Sequence, residues 1–236
     1  MDKVKRYIPY LLLTGLTLFF CRMFVGRYGI FGAKVDWLSQ HSVLPDYFRQ
    51  QFYRTGQFFP EFALNIGGGQ NIYNFSYYGL FSPVVLIGYL LPNVKMSDYM
   101  MVASIVCLAA AVIILYRWLK SREFTAAVSG MTALMFLFAG PMIYQSSHQI
   151  MFVNYMPFLC LTFFGIDRYF EQKKSGLLIG GTFLMIMTSF YFSIGGILAL
   201  GLYGIYRYAR TKERAEEMIT VNGFLGDGLR FAGRIL

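Results

Sequence analysis

The chain has 236 residues, of which 56% are hydrophobic and only 14% charged. A soluble domain carries about 25% charged residues to wet its surface, so this composition excludes the soluble globular class and requires an outer surface that faces lipid. The formal net charge of +9 comes in short basic clusters between apolar runs, which is how membrane proteins mark their cytoplasmic loops and not how a nucleic-acid-binding face is built.

In chain order, Lys3, Lys5 and Arg6 precede an apolar stretch from Ile8 to Phe20. No small-x-small cleavage site follows, since the next residues are Cys21, Arg22, Met23 and Phe24, so the segment reads as a retained first span over 8–25. A spanning helix needs about 20 mostly apolar residues. Five further stretches qualify or nearly so: 98–118, 124–140, 153–170, 176–191 and 192–207. The last two are short, with Ser193, Gly195 and Gly196 as their punctuation, and are expected as a tight hairpin or a partly re-entrant pair. A further apolar stretch, 77–91, is ambiguous by itself. Basic clusters at Lys3/Lys5/Arg6, Arg117/Lys120/Arg122, Arg168/Lys173/Lys174 and Arg207/Arg210/Lys212/Arg214 all fall on the cytoplasmic side if 77–91 does not cross. The expectation is therefore an all-α polytopic membrane protein with a cytoplasmic N-terminus, an outer loop over 26–97 with an interfacial or re-entrant segment at 77–91, and a short outer loop at 141–152. After Arg207 the chain is charged and cytoplasmic. The closing "GFLGDGLRFAGRIL" reads as the approach to another hydrophobic element, so residues 1–236 are expected to be the N-terminal part of a longer polytopic domain.

Cys21, Cys107 and Cys160 each lie in an apolar run, and an odd count without metal-ligand spacing reads as packing. In the outer loop, Leu44, Phe48 and Phe52 recur at i, i+4 and i+8, with Asp46, Arg49, Gln50 and Arg54 around the rest of the circumference. That pattern predicts an amphipathic helix lying on the outer membrane surface, with Pro45 in its first turn and Gly56 at its end. The stretch "NIGGGQNIYNFSYYGLFSP" suits an irregular backbone. Gly67, Gly68 and Gly69 have neither the Lys-Ser/Thr nor the preceding strand of a nucleotide-binding loop, and read as turn glycines.

The outer side holds four acids: Asp36, Asp46, Glu61 and Asp98. Asp98 is placed to cap the start of the span at 98–118. Asp36 follows the first span closely, among Val35, Trp37 and Leu38. A carboxylate so near the membrane surface is partly desolvated and needs either a catalytic purpose or a cationic partner, for which Lys34 and Arg27 are available. His41 and His148 are the only histidines. No further Cys or His stands near either, so hydrogen bonding and not zinc is expected, and no GxSxG elbow or Cys–His pair is present. No metal or cofactor is called for.

Several of these features together resemble one family, the bacterial YfhO membrane proteins, which belong with the GT-C glycosyltransferases. The matching features are "VDWLSQH" followed by "YFRQQF", then "FALNIGGGQNIYNFSYYGLFSP", "HQIMFVNYMPFLCLTFFGIDRYFEQKK" and "TSFYFSI". The resemblance runs to about Tyr208 and implies a GT-C-like helical bundle. It also implies a polyprenyl-phosphate-linked sugar as donor and an acidic residue just after the first span acting on the acceptor hydroxyl, the position Asp36 occupies. A carboxylate can take that proton as attack develops, and positive charge such as Arg49 or Arg54 can receive the leaving phosphate. His41, Glu61 and His148 are the further outer-side candidates for substrate contact. The paired acids of many GT-C proteins are missing, because Lys34 and Val35 precede Asp36. Where the resemblance leads one to expect an acid stands Asn154, which as an amide is a candidate acceptor contact only.

The functional expectation is a glycosyltransferase of the bacterial cell membrane that decorates a cell-envelope polymer such as lipoteichoic acid on the outer face. The alternatives are a lipid or polyol transporter, which would bury charges in its spans and show inverted repeats, and a non-catalytic envelope-assembly subunit.

Overall fold

The computed structural model describes residues 2–28, 36–214 and 221–232. In chain order the helices are α1 (Asp2–Tyr28), α2 (Val43–Thr55), α3 (Pro83–Gly88), α4 (Met96–Ser121), α5 (Ala126–Leu137), α6 (Gly140–His148), α7 (Ile150–Gln172), α8 (Gly176–Thr188), α9 (Phe190–Arg214) and α10 (Val221–Ala232). The only sheet among the described residues is a hairpin of two two-residue strands, β1 (Phe62–Ala63) and β2 (Gln70–Asn71). Among those residues α4 and α7 are long and apolar enough to cross a bilayer, and α5 with α6, bent by 46° at their junction, makes a third candidate if counted as one span.

The helices carry two kinds of apolar face. On α1, Leu13, Thr17, Phe20 and Cys21 are buried at helical spacing, while Leu11, Leu12, Phe19 and Met23 are more than half exposed. Thr17 can be buried because its Oγ1 donates to the Leu13 carbonyl at 2.8 Å. A helix apolar on its outward face as well as its inward one is solvated by lipid. Tyr10 meets Tyr116 edge-on at 5.4 Å and Phe20 meets Phe138 at 5.8 Å, which seats α1 on α4 and the end of α5.

At the centre α7 packs against α4, α6, α8 and α9. Its seam with α8 is closed by small residues: a Cβ on Gly165 would lie 2.6 Å from Leu178 Cα, and one on Gly181 would lie 2.5 Å from Thr162 Oγ1. Backbones in lipid gain most from such close approach, because there is no hydrophobic drive between helices.

Two boundaries differ from the sequence reading. The stretch 176–207 breaks at Ser189, which is extended (φ −159°, ψ 103°) between α8 and α9. Ser193, Gly195 and Gly196 lie inside α9 instead. Ser189 Oγ accepts from the Phe192 N–H at 3.3 Å, supplying a cap without glycine. Gly196 makes room for Met185, whose Sδ would be 2.9 Å from a Cβ there. Likewise 141–148, expected as loop, is helical in α6, which begins with Pro141 in its first turn and ends at an extended Gln149 (φ −127°, ψ 93°).

The segment from Trp37 to α4 is built as a cover. Trp37–His41 forms a π-helical turn that leads into α2, and Gly56 ends α2 in the left-handed conformation at φ 73°. The apolar stripe of α2 is covered by its own chain and not laid against lipid, which corrects the surface-helix expectation. Phe48 is fully buried near Phe75, and Phe52 stacks on Tyr89 at 5.3 Å. Arg49, expected on the solvated face, is 8% exposed because Leu91 and Val94, distant in sequence, present carbonyls to it. Gly67, Gly68 and Gly69 all take positive φ in the β1–β2 turn. Within 77–91 the chain ends a 3-10 helix (Ile72–Tyr78) and forms α3. At six residues α3 is about 9 Å long against a hydrocarbon core of ~30 Å, so it does not span.

Three of the basic clusters gather at one end of the bundle, where Arg122 and Arg207 each bind Glu171 at 2.8 Å. The Tyr10–Tyr116 contact brings the start of α1 to the same end. Gln149, at the other end of α7, is 22 positions before Glu171, about 33 Å along a helix.

Candidate functional site

At that other end the two helix breaks meet this cover. Trp37, 2% exposed, anchors the π-helical turn and so fixes Asp36 before it and His41 at its end. The hub of the cluster is Gln149, in the break between α6 and α7. Its Oε1 accepts from Tyr77 Oη at 3.0 Å and lies 3.1 Å from His41 Nε2. With its oxygen held by two donors, the amide must turn its NH₂ outward, and Nε2 faces Asp36 Oδ2 at 3.5 Å. Tyr191, just past the Ser189 break, closes on Tyr77 edge-on at 5.9 Å. Residues 36, 41, 77, 149 and 191 thus form one constellation.

The protonation states follow from the surroundings. Burial pushes the pKa of His41 below its usual 6.5, outweighing the Gln149 hydrogen bond and the Asp36 charge, which both favour the cation. His41 is therefore neutral at pH 7, with the proton on Nε2 toward Gln149 and Nδ1 buried without a partner. Burial, followed by the neighbouring Tyr191, Tyr78 and Asp36, raises the pKa of Tyr77, which stays a donor. The arrangement holds one carboxylate through a neutral amide, with no cation bound to it among the described contacts. Lys34 lies outside the described residues and the side chain of Arg27 is likewise undescribed.

A pH dependence follows from His41. Its folded pKa is lowered, so between that value and 6.5 the unfolded chain binds a proton that the folded chain does not, and stability falls as pH drops through 6.5. Thermal unfolding in detergent between pH 7.5 and pH 5.5 is expected to show this fall, and His41→Gln is expected to flatten it. An unchanged slope in the variant would assign the acid sensitivity elsewhere.

Of the other candidates, none is joined to Asp36 by a hydrogen bond or ion pair among the described residues. His148 is next to Gln149 in sequence but turns away. Its ring stacks on Tyr144 at 4.1 Å, and its Nδ1–H donates to the Tyr144 carbonyl at 2.8 Å. Arg49 spends its guanidinium on the carbonyls of Leu91 (3.0 Å) and Val94 (2.7 Å) and on Asp46 (2.8 Å), so it clamps α2 to the loop before α4. Arg54 and Glu61 are exposed. Asn154 is fully buried in α7, and neither atom of its amide has a partner. Among the described residues no three of His, Cys, Asp and Glu are placed to hold a metal ion.

A family model for the bacterial membrane protein YfhO matches residues 8–226. The chain belongs to the YfhO family. Comparisons with curated proteins and with solved structures gave no match. The family match spans every residue of the Asp36 constellation and the membrane helices around it, so the chain is a bacterial membrane protein of this family.

Sequence reasoning missed Gln149, Tyr77 and Tyr191 as site members. Gln149 stands within "HQIMFVNYMPF", where it closes the polar run 145–149 just ahead of Ile150, Met151, Phe152 and Val153. What could not be read from one sequence is that residues 36, 41 and 77 converge on its two amide ends.

Proposed function

We propose that the Asp36 constellation is the acceptor-activating site of a membrane glycosyltransferase. The enzyme moves a sugar from a polyprenyl-phosphate donor to a hydroxyl of a cell-envelope polymer, such as lipoteichoic acid, on the extracytoplasmic face. The observation that carries this reading is Asp36 itself, a carboxylate turned toward a neutral amide with no cation bound to it among the described residues, at the end of the bundle opposite the basic clusters. The positive-inside rule puts those clusters in the cytoplasm and Asp36 outside.

In the reaction the acceptor O–H loses its proton to Asp36 as its oxygen bonds to the anomeric carbon. The bond from that carbon to the phosphate oxygen breaks, and polyprenyl phosphate leaves with the electron pair. Gln149 is a positioning residue: His41 and Tyr77 fix its oxygen, so its NH₂ holds Asp36 without neutralising it. Arg54, exposed on α2, remains available to the leaving phosphate, whereas Arg49 already has three partners.

The test is Asp36→Asn, which keeps size and hydrogen bonding but is no base. Sugar transfer to envelope acceptor by membranes holding the protein is expected to fall by at least about a hundredfold in the variant while membrane insertion is unchanged. Transfer at the wild-type rate would defeat the assignment.

A further inference from the structure

The basic end of the bundle holds a cavity of about 400 Å³ between α4, α7 and the start of α8. Its rim is polar, with Arg117, Ser121 and Arg168, and its wall is apolar, with Leu161, Phe164 and Leu177. Arg122, Asp167 and Glu171 also line it, and both acids are already paired. Arg207 Nε lies 2.8 Å from Asp167 and its NH2 binds Glu171 at 2.8 Å, while Arg122 binds Glu171 at 2.8 Å and stands 3.7 Å from Asp167. Two arginines thus balance two acids. Arg117 and Arg168 are left over, both exposed and neither with an ion-pair partner among the described residues.

We propose that this cavity is a binding site for an anionic glycerophospholipid of the surrounding leaflet. The phosphodiester sits between Arg117 and Arg168, and one acyl chain runs along Leu161, Phe164 and Leu177. Three features support it. Two guanidiniums at one cavity mouth, neither with a carboxylate of its own among the described residues, are matched by a phosphate. The wall beneath them is half-buried and apolar, which a free phosphate does not need and an acyl chain does. The position, at the end of the helices where the basic clusters gather, is where pockets between spans take anionic head groups. Arg168 is 19 positions from Gln149, about 28 Å along α7, so the head-group site is independent of the chemistry proposed at Asp36.

The experiment uses protein purified in mild detergent and given phosphatidylglycerol or phosphatidylcholine with the same acyl chains, the retained lipid being read by native mass spectrometry. Wild-type protein is expected to keep phosphatidylglycerol roughly tenfold to thirtyfold better, the effect of two arginines near the surface. The preference should survive millimolar inorganic phosphate. It should disappear in R117Q/R168Q and persist in K173Q/K174Q, which removes exposed charge from the same end without touching the cavity lining. Equal retention of the two lipids by the wild-type protein would overturn the proposal, as would loss of preference in K173Q/K174Q alone. Displacement by inorganic phosphate would make the cavity a free-phosphate site and end the lipid assignment.

Discussion

Asp36→Asn is expected to lower sugar transfer by roughly 10²–10⁴-fold, the usual contribution of a positioned general base. The loss should fall on kcat, since an asparagine of the same shape still occupies the position and still bonds Gln149. Gln149→Ala is expected to cost less, because it removes only the group that aims the carboxylate. Asp36→Glu is expected to retain part of the activity, as the base is present but misplaced by one methylene. This order (Asn worst, Ala at 149 intermediate, Glu at 36 mildest or comparable) separates a proton-transfer role from a packing role. A packing role would make the longer Glu the most damaging change, since it stands beside the buried Trp37. Rates measured on protein matched for membrane level decide between the two.

Asp167→Ala is expected to destabilise the bundle by about 3–5 kcal/mol, the cost of removing one partner of a buried pair, since the Trp118 and Tyr203 donors lose their acceptor and Arg207 keeps only the half-exposed Glu171. Asp167 is the acceptor on which α4, α7 and α9 converge. Trp118 Nε1 donates to it at 2.8 Å, Tyr203 Oη donates at 2.7 Å, and Arg207 Nε lies 2.8 Å away, outside hydrogen-bond alignment. The Asp167 and Arg207 side chains are only 7% and 6% exposed, so neither finds water when the other is removed. Arg122→Gln is expected to cost about 1 kcal/mol or less, because Arg122 is 24% exposed and its closer partner Glu171 is 49% exposed. Denaturant unfolding in detergent micelles measures both. Equal costs for the two variants would mean that the network stabilises by surface charge alone. The pairing also leaves Arg117 and Arg168 without an ion-pair partner among the described residues, which is what the proposed lipid head group would meet.

Much of this architecture was legible in the sequence because lipid imposes coarse rules. Apolar length located the helices that contain 8–25, 98–118 and 153–170, and the basic clusters marked one end of them. Gly56 announced the end of α2, since a left-handed residue there favours glycine. The failures share one physical cause, contacts between residues far apart in sequence. Arg49 looked solvated by helical periodicity, yet carbonyls more than forty positions away desolvate it. The breaks at Gln149 and Ser189 carry neither glycine nor proline, because a single extended residue with a polar side chain suffices where its donors and acceptors are met by neighbours. Asp167 has no part in the reading of the sequence, although an ionisable residue inside an apolar run is itself a sign of a paired interior site. Asp36 stood out from its position alone, but its partners Gln149, His41 and Tyr77 come from segments with no mutual signature.

The measurement that tests the central claim most directly follows the bond between sugar and phosphate in a doubly labelled polyprenyl-phosphate donor. It uses sealed vesicles holding the wild-type protein and an envelope acceptor on the Asp36 side. The account predicts cleavage, with sugar label on the acceptor and label in the lipid recovered as polyprenyl phosphate. Intact donor carried across the bilayer, with no cleavage at any acceptor concentration, would contradict it and make the protein a lipid transporter.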